Sequence, residues 1–252
     1  MKFRVSDLLI FILLFIFVSA FPVELFNISL FWQLIIRIGL RVLILAYYIY
    51  ICIRNRINIF KFYNLKRIIL FLPFFLACCS NLIAAGIDGA YTGITTYTID
   101  ILSLMIIYHL LGAIVEEFLF RLFIQNALVN ASSLKRIIFS AAIFALFHLL
   151  NIVNISSVDG LITVLIQVAY NFGLGILLAF VYEYTYSLPA SIVLHFTFNL
   201  LNTVIYQYLG CNLFTTDFTF YITAVAIATV LAVYIALIYL FVLKRNNRYF
   251  RE

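Results

Sequence analysis

Charge is what this sequence has least of. Only 10% of its 252 residues are charged, against about 25% in a typical soluble domain, while 66% are hydrophobic. A soluble fold of this size could not cover its surface with so few charges, so most of the chain belongs in lipid. Paired cysteine spacings are also missing. Cys52, Cys78, Cys79 and Cys211 form no CxxC pair, which argues against a disulfide or metal role and for packing residues. No long polar linker, repeat or low-complexity stretch interrupts the chain. Residues 1–252 therefore read as a single membrane domain with short loops.

What is present is a series of apolar runs, each long enough to cross a bilayer of about 30 Å. There are eight: Leu8–Phe26, Leu30–Ile53, Lys66–Ala85, Ile101–Leu122, Leu134–Val153, Leu161–Tyr182, Leu188–Tyr208 and Phe218–Leu243. The expected fold is all-α, a polytopic bundle of about eight transmembrane helices in the lipid bilayer. Val18-Ser19-Ala20 resembles a signal-peptide cleavage site behind Lys2 and Arg4. The apolar run continues to Phe26, however, so a retained first helix is the expectation.

A net charge of +6 does not point to nucleic acid, because the basic residues sit at the ends of the runs. With the N-terminus placed in the cytoplasm, Lys2 and Arg4 lie on that side. So do Arg54, Arg56, Lys61, Lys66 and Arg67 after the second run, Lys135 and Arg136 after the fourth, and Lys244, Arg245, Arg248 and Arg251 at the end. The opposite loops hold Glu24, Asp88, Asp100, Asp159 and Asp217, and no lysine or arginine. This asymmetry predicts both termini cytoplasmic. Only Arg37, Arg41 and Arg121 fall within apolar surroundings. Arg37 and Arg41 share a helix face, and snorkelling or pairing with a neighbouring helix is their plain reading.

Ionisable groups inside membrane helices are costly and usually mark function. They concentrate here in three places. Glu116-Glu117-Phe118-Leu119-Phe120-Arg121 ends the fourth run. Glu117 and Arg121 have the spacing and order of a helical ion pair. Glu116, rotated about 100° away, stays free to act as a base. Phe144-Ala145-Leu146-Phe147-His148 lies in the fifth run, and His195-Phe196-Thr197-Phe198-Asn199 in the seventh. In each, the outer residues share a face. Helical rise puts Glu116 and His195 within roughly 10 Å of the cytoplasmic ends, with His148 somewhat deeper. One polar cavity opening to the cytoplasm fits these depths. Peptide hydrolysis needs a base for water and donors for the oxyanion. A buried glutamate beside a histidine supplies the first, and a histidine and an asparagine amide on a facing helix supply the second. His109, two turns before Glu116 on nearly the same face, reads as an interhelical hydrogen-bonding residue or as cavity lining.

The sequences EEFLFR, FALFH and HFTFN fit the patterns EExxxR, FxxxH and HxxxN. In them the chain resembles the CAAX protease and bacteriocin-processing (CPBP, or Abi) family of intramembrane glutamic-type peptidases, over roughly Leu104 to Asn202. The resemblance implies an eight-helix core, with a motif-bearing peptidase part at about 101–208. It makes Glu116 the catalytic glutamate, His148 its partner in activating water, His195 and Asn199 the oxyanion pair, and Glu117 and Arg121 supporting residues. It implies an endopeptidase acting on a membrane-associated or leader-peptide substrate in a bacterial plasma membrane, in bacteriocin processing, self-immunity, maturation or signalling. No cofactor is required by that mechanism. There is no HExxH; a bound zinc would take Glu116, His148 and His195. The rival reading is a non-proteolytic scaffold or immunity protein that binds a peptide or a sensor partner. A transporter is disfavoured, since no inverted repeat or matching pair of broken helices is present. Oligomeric state and substrate are not written in the chain.

Overall fold

The computed structural model describes residues 5–57, 59, 78–79, 82–83, 86, 97–155 and 157–209. The runs 66–85, apart from 78–79 and 82–83, and 218–243 lie outside the described residues, as does Cys211. Every element described is helical: α1 (Val5–Ala20), α2 (Leu30–Arg54), α3 (Ile99–Glu117), α4 (Ser133–Phe147), α5 (Val158–Thr185) and α6 (Leu188–Asn199). α3 continues as a π-helix through Phe118–Gln125, α4 as a 3-10 helix through His148–Asn154, and α6 as a π-helix through Leu200–Ile205.

Among the described residues, five helices can cross a membrane by length and composition: Leu30–Arg54, Ile99–Gln125, Ser133–Val153, Gly160–Thr185 and Leu188–Ile205. The first run departs from expectation. Its helix stops at Ala20, with a 3-10 turn at Val23–Phe26 following Phe21 and Pro22. Proline lacks the N–H that would continue the ladder. α1 nevertheless belongs to the core. Phe11 stacks on Phe123 at 3.9 Å between centroids, Phe15 meets Phe120 edge-on, and Asp7 pairs with Arg54 of α2 at 2.6 Å.

Local chemistry sets the helix ends. Thr98, Ser157 and Ser187 each accept a backbone N–H in the first turn of α3, α5 and α6, satisfying donors that a helix start leaves unpaired. α5 stops where Tyr186 turns left-handed at φ 52°, and Pro189 then opens α6. α4 and α5 pack closely at Gly175. A Cβ there would lie 3.0 Å from the Phe144 ring and 3.1 Å from the Ala141 backbone, so glycine lets the helices approach. Outward-facing Leu9, Leu13, Phe17, Leu43, Phe139, Leu165 and Val193 are exposed, as lipid-facing residues are.

Candidate active site

The three sequence motifs meet on α3, α4 and α6. Glu117 ends the regular part of α3 and is fully buried. Its Oε2 accepts from Arg121 Nε at 3.0 Å, and neither side chain has exposed surface. Its other oxygen, Oε1, lies 2.9 Å from His195 Nδ1. A carboxylate can only accept, so His195 carries its proton on Nδ1.

Glu116 points differently, as the 100° rotation requires. Its side chain is 20% exposed, and its Oε2 lies 3.7 Å from His195 Nε2. That is too long for a direct hydrogen bond. It does leave both atoms able to contact one shared oxygen. The imidazole of His195 thus stands between the two glutamates, one on each nitrogen.

Arg121 is held by more than Glu117. Its NH1 donates to Ser140 Oγ of α4 at 2.9 Å, and Ser140 in turn donates to the Phe120 carbonyl at 2.9 Å. Arg121 NH2 is buried with no hydrogen-bond partner among the described residues. Phe144 supports both histidines, edge-on to His148 at 5.0 Å and to His195 at 5.7 Å. The Arg121 guanidinium lies 5.2 Å from the centroid of the same ring. His148 stands where α4 becomes a 3-10 helix, and its Nδ1 lies 3.0 Å from the Phe144 carbonyl. A carbonyl only accepts, so the proton is on Nδ1 and Nε2 keeps its lone pair. His148 interacts electrostatically with Glu116 and with His195. Asn199, the last residue of α6, is half-buried one turn beyond His195.

Sequence reasoning named Glu116, Glu117, Arg121, His148, His195 and Asn199, and their helices pack together. It missed two features. One is the bond from Glu117 to His195, since residues 78 apart carry no spacing signal. The other is Ser140, which has the appearance of an ordinary small residue in an apolar run. Of the two plain readings of Arg41, pairing with a neighbouring helix is the one found: it docks on α3, on the Tyr108 carbonyl and ring. His109 makes an edge-on ring contact with Tyr108.

The zinc alternative fits poorly. Among the described residues no three His, Cys, Asp or Glu side chains converge as a metal-ligand group.

Residues 98–201 match the family model of the Rce1-like type II CAAX prenyl endopeptidases. The match spans α3 to α6 and contains all six motif residues. It is consistent with the CPBP resemblance and, with the apolar helices, indicates a multi-pass integral membrane protein. No curated protein and no solved structure matches the chain.

Proposed function

We propose that this Rce1-like segment makes the chain an intramembrane endopeptidase in which Glu116 activates water. The observation that carries the reading is the division between the two glutamates. Glu117 is locked between Arg121 and His195, while Glu116 keeps partial exposure and only a 3.7 Å approach to His195 Nε2. A spent, fully paired carboxylate is a poor base, and an available one beside an imidazole is a good one.

In the proposed reaction Glu116 takes a proton from a water oriented by His148 Nε2. The hydroxide adds to the peptide carbonyl carbon. The resulting oxyanion accepts hydrogen bonds from the Asn199 amide and, when His195 carries a second proton, from its Nε2–H. Collapse breaks the C–N bond, and Glu116 returns its proton to the leaving amine. Glu117 has the orienting role that a buried carboxylate plays behind a catalytic histidine. Arg121 and Ser140 hold Glu117 in place.

The substrate is a membrane-associated peptide, a prenylated CAAX end or a leader peptide, and the setting a bacterial plasma membrane with both termini cytoplasmic. Bacteriocin processing or self-immunity is the physiological role proposed. The test is Glu116→Ala in membranes that carry candidate substrates. Cleavage is expected to stop while the protein remains inserted; full proteolysis by the variant overturns the mechanism. A scaffold would tolerate Glu116→Gln in complementation, and a peptidase would not.

A further inference from the structure

Arg41 sits near the middle of α2, a helix that can span the membrane and that lies outside the matched segment 98–201. A cation at that depth is costly unless it is compensated. Its NH1 donates to the Tyr108 carbonyl at 2.9 Å, and its guanidinium carbon stands 3.5 Å from the Tyr108 ring centroid. A carbonyl and a ring face offer partial charge only. Among the described residues no carboxylate pairs with Arg41.

The guanidinium also occupies the space beside Gly112, where a Cβ would lie 3.4 Å from its carbon. Gly112 is one helical turn before Glu116 on α3. Tyr108, Gly112 and Glu116 follow one another at four-residue intervals on α3, so the cation and the site share one wall. Tyr108 contacts Arg37 as well as Arg41, which adds a second positive charge one turn away on α2.

We propose that Arg41 is a subsite for the free C-terminal carboxylate of the peptide cut at Glu116. The proposal rests on the peptidase reading above. A guanidinium fork matches a carboxylate in shape and charge, and each removes the other's cost of burial. Lipid phosphates are the other anions at hand, but they lie at the membrane surface rather than near the midpoint of a spanning helix. One turn of α3 rises about 6 Å, and an extended residue spans about 3.3 Å. A chain end held at Arg41 therefore brings a bond only a few residues back to Glu116.

The experiment uses the full-length protein in nanodiscs. The probe is a dansylated peptide ending in S-farnesyl-cysteine and three further residues, made with a free acid or a carboxamide end. Binding is read by fluorescence and cleavage by product analysis. Amidation is expected to weaken binding about tenfold in wild type and in Glu116→Gln alike. That penalty should vanish in Arg41→Gln and partly persist in Arg41→Lys, with KM rather than kcat carrying the effect. Equal affinity for acid and amide in wild type, or an unchanged penalty in Arg41→Gln, overturns the subsite. If the acid is preferred through Arg41 but wild type cleaves neither peptide, the subsite stands and the peptidase reading falls.

Discussion

Glu117→Gln separates the two adjacent carboxylates by stability rather than by activity. Glutamine keeps the volume, and its one amide oxygen can still accept from Arg121 Nε; its NH2 then faces His195 Nδ1, so the perturbation is the loss of one charge together with the acceptor for that N–H. Arg121 and Glu117 have no exposed surface, and the other contact of Arg121 at hydrogen-bonding distance is a neutral serine. Removing one partner of a buried pair leaves an uncompensated charge, at about 3–5 kcal/mol. For a chain of this size each kcal/mol shifts Tm by about 2–4 °C. The expected fall is thus on the order of 10 °C. The buried thiols of Cys52 and Cys78 supply the assay, since a thiol-reactive dye labels them on unfolding. Glu116→Gln, partly exposed and without a close ion pair to a basic residue among the described residues, is expected to shift Tm far less. In Glu117→Gln/Arg121→Gln the orphaned charge is gone, and part of the lost stability should return. A Glu117→Gln variant as stable as wild type refutes the reasoning, as would a double variant that loses the sum of the two single losses.

Ser140→Ala removes both the acceptor for Arg121 NH1 and the donor to the Phe120 carbonyl. A loss of about 1–3 kcal/mol is expected in the same thermal assay, with a fall in kcat through a loosened Glu117. Gly175→Val forces side-chain atoms into the 3.0 Å gap against Phe144 and the 3.1 Å gap against the Ala141 backbone. The overpacking is expected to cost about 1–3 kcal/mol and to disturb cleavage, because Phe144 contacts both histidines; unchanged Tm and kcat would show that the α4–α5 contact adapts.

The membrane class and the helix positions were legible because lipid imposes length and apolarity on every span. The run 188–208 corresponds closely to α6 and its continuation, and 101–122 falls within Ile99–Gln125. The Glu117–Arg121 pair was legible because it is local in sequence. The failures have two causes. Leu8–Phe26 is one run by hydropathy, yet its helix ends at Ala20, just before Pro22. Hydropathy registers apolar content and is blind to a missing N–H. The bond from Glu117 to His195 and the roles of Ser140 and Arg41 arise between helices, where no period in the sequence connects the partners.

Regular helical geometry also hid a feature common to the three motifs: each helix changes its winding at the motif itself. α3 turns from α to π after Glu117, α4 from α to 3-10 at His148, and α6 from α to π after Asn199. Such changes recur at functional sites because they re-aim every side chain that follows. In a membrane, irregular backbone is tolerated only where protein surrounds it. All eight residues of the π-segment Phe118–Gln125 are buried, and neighbouring side chains are tied to it. Ser140 donates to the Phe120 carbonyl, and Gln125 reaches from the segment to the Ala179 carbonyl and to Glu183. Arg121, which holds Glu117, is part of that same segment. Ser140 therefore joins the backbone irregularity to the ion pair that fixes His195, and the position of the His195 imidazole depends on a helix that leaves regular α geometry at this level.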